Sequence, residues 1–143
     1  MSKLIKLKIV TPERIIFEED VDQVTLPTIE GEITVLPGHV PLVSALKSGE
    51  IIARKGDEVI PMAVVGGFIE VRSGEVAVLA DFAEHVSELS DEVINKAKAR
   101  AEELKKMKDN EEVVDFEHFE TELERSLTRV RIADKWRNKK YRL

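Results

Sequence analysis

Apolar and polar residues alternate along Leu4-Ile5-Lys6-Leu7-Lys8-Ile9-Val10. A period of two turns one face of a strand to a core and the other to water. Further β-rich runs occur at residues 21–26, 32–36, 50–54, 58–65, 68–71 and 76–80, punctuated by Pro and Gly. Many short strands separated by turn residues predict an antiparallel sandwich or barrel. Leu36-Pro37-Gly38-His39 suits a type II turn, because Pro fixes φ and Gly supplies a positive φ. Pro41 biases Val40 toward an extended conformation. Gly66-Gly67 interrupts an apolar run, which predicts a bulge or a close backbone approach.

The texture changes near residue 85, after which the chain contains neither Pro nor Gly. Two helices are expected there. Ser90 is a candidate N-cap, with Asp91 and Glu92 in the favourable first turn and Leu89 and Ile94 spaced as a hydrophobic staple. Ile94, Ala97, Ala101 and Leu104 form a narrow apolar stripe at helical spacing. Charge dominates at 108–112, which reads as a turn. A second helix is expected after Asp115 as N-cap, with Val114 and Phe119 as its staple and Phe116, Phe119, Leu123, Leu127 and Val130 along its apolar face. At 1.5 Å per residue it spans about 36 Å. Helices with one stripe each are expected to pair as an antiparallel hairpin. The first stripe is mostly alanine, so little area is buried and the hairpin is a candidate moving part.

Hydrophobic residues make up 43% of the 143-residue chain, enough for a packed core, and charged residues make up 35%. No stretch approaches the roughly 20 apolar residues of a transmembrane helix. The opening Met1-Ser2-Lys3-Leu4 lacks a signal-peptide apolar run, so no leader is expected. With no cysteine, disulfides, thiolate metal sites and thiol nucleophiles are excluded. The net charge of −6 disfavours nucleic-acid binding, but it is unevenly spread: residues 1–84 carry −6, residues 85–120 carry −5 and residues 121–143 carry +5. A basic end suits an acidic partner, and it also suits the C-terminal end of a helix dipole.

Signatures of chemistry are missing. The chain has no G-x-x-x-x-G-K-[ST], no G-x-G-x-x-G and no G-x-S-x-G. His39, His85 and His118 are scattered, with no H-E-x-x-H pair. His118 beside Glu117 and Glu120 reads as a solvated histidine on an acidic face. With 28 acidic residues in the chain, neighbours such as Asp91-Glu92 and Glu111-Glu112 carry no sign of acid–base catalysis. No catalytic residue, metal or cofactor is expected. His39 follows a tight turn, where it is either an exposed group titrating near neutral pH or a ring that caps the turn.

Two blocks carry a resemblance. Glu30-Gly31-Glu32-Ile33-Thr34-Val35-Leu36-Pro37-Gly38-His39-Val40-Pro41-Leu42 is similar to the signature segment of the epsilon subunit of the F-type ATP synthase. So is Gly66-Gly67-Phe68-Ile69-Glu70-Val71, followed by Val76-Ala77-Val78-Leu79-Ala80-Asp81. With both blocks in register and two helices after them, the resemblance covers essentially the whole chain. It implies an α+β fold: an N-terminal antiparallel β-sandwich over residues 1–84 and a regulatory two-helix hairpin over 85–143. It implies a non-catalytic central-stalk subunit on the cytoplasmic face of the bacterial cell membrane, peripheral to it, coupling the gamma subunit to the c-ring of a proton-translocating machine. Gly31, Glu32, Pro37, Gly38 and His39 fall at positions facing the ring and the stalk base. The hairpin of that family packs on the sandwich or extends to the alpha and beta subunits, where it restrains ATP hydrolysis. Arg125, Arg129, Arg131, Lys135 and Arg137 would then meet acidic groups of beta.

Two departures stand out. Thr34 occupies a position where many relatives have Gly, so the local backbone is expected to differ. Some bacterial relatives bind ATP through Ile/Leu-Asp-x-x-Arg-Ala at the start of the first helix. The matching stretch here is Leu89-Ser90-Asp91-Glu92-Val93-Ile94, in which Ser90 and Val93 replace the aspartate and arginine. Glu84 and Arg100 match only peripheral ligands, so weak or no ATP binding is expected. The residues alone leave two other readings open, a stand-alone small-ligand sensor and a helical adaptor for an acidic partner.

Overall fold

The structure, a computed structural model, describes residues 3–110, 115–137 and 139. Eight strands come first: β1 (Ile5–Val10), β2 (Ile15–Val21), β3 (Gln23–Thr28), β4 (Gly31–Val35), β5 (Leu42–Ala45), β6 (Gly49–Lys55), β7 (Glu58–Arg72) and β8 (Glu75–His85). A 3-10 turn, Val86–Glu88, then leads into helices α1 (Asp91–Asp109) and α2 (Phe116–Trp136). The expected order of sandwich and helices is observed. Strands β2 and β5 were not among the expected runs: Ile15-Ile16-Phe17-Glu18-Glu19-Asp20 does not alternate, and β5 has four residues. The runs expected at 58–65 and 68–71 form one 15-residue strand.

Hydrogen bonding orders the strands β2-β1-β8-β7-β6-β3-β4, with β5 joined to the far half of β7. Strand β7 pairs with β6 over its first half and with β5 over its second, while β8 follows it from Met62 to Arg72. The sheet therefore doubles over itself at the middle of β7 and closes as a sandwich. The pairing of β1 with β8 is parallel, a departure from the all-antiparallel expectation. Gly66 and Gly67 sit at the bend with φ of 67° and 110°. A Cβ on Gly67 would overlap the Leu79 carbonyl oxygen, so the close approach expected from the glycine pair is present. The turn at Leu36–His39 also forms: His39 N donates to Leu36 O at 3.1 Å, with Gly38 at φ 85°. Thr34 lies within β4, its Oγ1 3.0 Å from that of Thr25 across the strand pair.

One core lies between the two halves. Ile5, Leu7, Ile9, Ile69, Val71, Val76 and Val78 from one half meet Val24, Leu26, Val35, Ile51, Ile60 and Met62 from the other. No helix residue belongs to this cluster.

Both expected caps form. Ser90 Oγ accepts from Val93 N at 3.3 Å, and Asp115 Oδ1 accepts from His118 N at 3.1 Å. Leu89 and Ile94 lie in one cluster, as a staple requires. The expected Val114 partner and the Glu111-Glu112 pair lie outside the described residues. On α1 the buried residues are Ile94, Ala97, Ala101 and Leu104, the stripe read from the sequence. On α2 the expected stripe needs correction. Phe116 and Leu127 are exposed, whereas Phe119, Ser126, Thr128, Ile132, Ala133 and Trp136 are buried. The cause is that α2 faces both α1 and the sheet, so its covered surface is wider than one stripe and rotated from it. Contacts of Ile94 with Ala133 and of Arg100 with Glu122 run in opposite directions along the two helices, which makes the hairpin antiparallel.

Candidate functional site

The resemblance pointed first to Gly31, Glu32, Pro37, Gly38 and His39, and the structure does not bring them together. Gly31 and Glu32 open β4 beside the hairpin turn, where both are exposed. Pro37, Gly38 and His39 lie past the other end of the same strand. Glu32 and Pro37 are five positions apart along nearly extended chain, about 16 Å at the usual rise. The second group lies beside Lys3, Leu4, Ser73 and Gly74 in a shallow cleft. His39 is half-buried, its Nδ1 2.7 Å from the Val40 carbonyl oxygen, so the ring caps its own turn.

The outer face of the sandwich holds a feature visible only in strand register. On β5, β7, β8, β1 and β2 in turn, Ala45 opposes Phe68, Phe68 opposes Leu79, Leu79 opposes Val10, and Val10 opposes Ile15. This apolar row crosses five strands. Phe68 and Leu79 are each 60% exposed and Ile15 is 56% exposed. The neighbouring row is mixed: Val43, Glu70, Ala77, Lys8 and Glu18. Contiguous exposed apolar side chains of this kind mark contact surfaces.

A second outward face, on β6, β7 and β8, is covered by α2. Here Glu50 opposes Ala63, and Ala63 opposes Glu84, so one cross-strand row sets a carboxylate on either side of a small residue. The Glu84 side chain, 10% exposed, accepts from Arg129 Nε at 2.7 Å and Nη2 at 3.3 Å. Glu50, 11% exposed, accepts from Lys135 Nζ and, at 2.6 Å, from Trp136 Nε1. Ile132 and Trp136 pack with Ala63 and Val86 between the two carboxylates, flanked by Ile52 and Val59. In the next row, Phe82 lies under the guanidinium groups of both Arg125 and Arg129, at 5.0 and 4.9 Å from its centroid, a geometry that attracts a cation.

Of the five arm cations the sequence singled out, three therefore rest on the sandwich: Arg125, Arg129 and Lys135. Arg137 instead pairs with Asp134 on its own helix at 3.3 Å, and Arg131 is exposed. Charge pattern singled out the cations. It gave no indication of Glu50 or Phe82, because a seat built from three strands has no local spacing in the sequence.

At the opening of α1, Ser90 is used as a cap and Val93 is half-buried beside the cluster of Leu89, Ile94 and Ala133. Arg100 donates to Glu122 through Nε at 2.6 Å and Nη2 at 3.1 Å, and it also meets Glu103 at 3.0 Å. Those hydrogen bonds raise the Arg100 pKa and hold the Glu122 carboxyl below its ordinary value. Among the described residues, no group of three His, Cys, Asp or Glu side chains is arranged to hold a metal, and no helix is long and apolar enough to cross a membrane.

Comparison with known proteins agrees with this architecture. Residues 4–86 match a family model described as ATP synthase, Delta/Epsilon chain, beta-sandwich domain. An ATP synthase epsilon chain of Desulforamulus reducens is 39% identical over 134 residues, covering 94% of this chain and 100% of the relative. One of Dehalococcoides mccartyi is 44% identical over 137 residues, covering 96% of each. A chain in the Euglena gracilis mitochondrial ATP synthase structure, titled OSCP/F1/c-ring in rotational state 1, superposes with a TM-score of 0.67 at 25% identity, covering 92% of this chain and 81% of that one. The match to the relatives extends through the helices as well as the sandwich, and the chain belongs to the ATP synthase epsilon-chain family.

Proposed function

We propose that the chain is a non-catalytic subunit of the central stalk of an F-type ATP synthase, joining gamma to the c-ring and restraining ATP hydrolysis through its helices. The observation that carries the docking half of this reading is the exposed apolar row Ala45–Phe68–Leu79–Val10–Ile15. A row of this kind fits the apolar side of a long helical shaft, for which gamma is the partner in this family. Gly31 and Glu32 at one end of β4, and Pro37, Gly38 and His39 at the other, are loop positions suited to polar contacts, with the c-ring as their partner. Because the two groups are well apart, they serve two contacts and not one. The subunit is peripheral, at the cytoplasmic face of the membrane.

The regulatory half rests on the helices. They share no residue with the sandwich core and are held by polar contacts and two small apolar clusters. Arg125, Arg129, Arg131, Lys135 and Arg137 are the cations the released arm offers to acidic groups of the beta subunits. Weak or no ATP binding belongs to this reading, since Ser90 and Val93 stand where the ATP motif has its aspartate and arginine. The test is co-purification with gamma followed by a hydrolysis assay. The expected results are capture of the chain by gamma, and faster ATP hydrolysis by the assembled enzyme once residues 90–143 are deleted. Failure of capture removes the stalk reading, and unchanged hydrolysis removes the inhibitory one.

A further inference from the structure

We infer that the cross-strand row Glu50–Ala63–Glu84 is a latch for α2, and that it holds the arm by occupying the cations an acidic partner would need. This inference rests on the reading of the helices as a mobile arm. Its geometry follows from the two flanks of the helix. On the β8 side Arg129 bonds Glu84; on the β6 side Lys135 and Trp136 bond Glu50, and Glu124 accepts from Ser48 Oγ just before that strand. Between the flanks, Ile132 packs with Ala63, midway along the row. The helix is thus held from both sides of β7, by charge at its flanks and by volume between them.

The latch competes with partners because the carboxylates are buried and the cations are shared. Glu50 and Glu84 are about nine-tenths covered, and a buried carboxylate requires a partner. Arg129 and Lys135 satisfy them only while α2 is seated. When these cations bind an acidic surface elsewhere, α2 must leave the row and water must reach both carboxylates. The seated state has a weakness of its own. Arg125 Nε is buried with no hydrogen-bond partner among the described residues, a cost that an acidic partner would relieve. Seating and capture by a partner are therefore mutually exclusive, and the strength of the row sets the balance.

The chain has no native cysteine, so spin labels at Lys47→Cys on the sandwich and Glu120→Cys on α2, exposed residues that line one cleft, report the separation directly by pulsed electron resonance. The parent is expected to give one short distance. In Glu50→Gln/Glu84→Gln the fraction at long distance should rise, on the order of tenfold for each carboxylate. The charge-swapped pair Glu84→Arg/Arg129→Glu should recover the short distance relative to either single change. Should the carboxylate variant lose its native circular dichroism, Arg129→Gln/Lys135→Gln opens the same latch from the helix side without altering the sandwich. An unchanged short distance in a folded variant overturns the latch. Installed in the assembled enzyme, Glu50→Gln/Glu84→Gln, which keeps every cation of the arm, should slow ATP hydrolysis further, the opposite of deleting the arm. Lengthened distances with unmoved hydrolysis uphold the latch and remove the inhibitory reading. Deletion that speeds hydrolysis, with distances unmoved, does the reverse.

Discussion

Gly67 shows how little freedom some single positions have. Its φ of 110° lies where side chains are strained, and an added Cβ would meet the Leu79 backbone. Gly67→Ala is expected to cost about 3 kcal/mol or more of unfolding free energy in urea. Gly56→Ala, also at positive φ but with open space around it, should cost about 1 kcal/mol. Glu122 makes a prediction of another kind. Hydrogen bonding to Arg100 lowers its folded-state pKa, so the stabilisation is complete above the unfolded carboxyl value of about 4.3 and is lost as the pH falls through the folded value. Parent and Glu122→Gln should therefore differ in stability at pH 7, by less than about 1 kcal/mol for so exposed a pair, and in unfolding titrations the difference should shrink as the pH falls below about 4.3. A constant difference from pH 7 to pH 3 would show that the ion pair contributes nothing to it.

Helix α2 is the element for which the sequence was most misleading. Phe116 and Leu127 have helical spacing and apolar side chains, yet Phe116 is 61% exposed and Leu127 39% exposed. Thr128 and Ser126 are buried in their place. A single periodic stripe describes a helix with one neighbour, and α2 has two. Its seat can be weakened without touching the sandwich core. Ile132→Ala removes the central packing contact on Ala63 and is expected to cost about 2–3 kcal/mol of docking. Trp136, the sole tryptophan of the chain, lies in the same cluster, so its emission should shift to the red at a lower urea concentration than the β-sheet signal is lost. Coincident transitions at the parent midpoint would show that α2 and the sandwich unfold as one unit.

For the whole molecule, the two outward faces of the doubled sheet have different uses. One is covered by the chain's own α2, and the other leaves Phe68 and Leu79 in water. Phe68→Asp is expected to leave the melting temperature within a few degrees, because the side chain is outside the core, while reducing recovery with gamma in a pull-down at least tenfold. A loss comparable to that of an interface anchor, about 2 kcal/mol, is sufficient for that effect. Unchanged recovery would place gamma on another surface.

Local physics made several features readable from the sequence: the alternation of β1, the Pro37-Gly38 turn, the approach at Gly66-Gly67, the caps Ser90 and Asp115, and the alanine-rich stripe of α1. Each depends on a few adjacent residues and on backbone preferences that act at short range. The bend that joins two expected runs into β7, the parallel pairing of β1 with β8, the row Ala45–Phe68–Leu79–Val10–Ile15 and the latch Glu50–Ala63–Glu84 were decided by tertiary structure. Neighbours in such rows are separated by anything from five positions (Val10 and Ile15) to 69 (Val10 and Leu79), and they meet only through strand register, which no local period encodes. For the same reason the basic end of the chain was visible as charge, while the carboxylates that receive it emerged only once the sheet had folded.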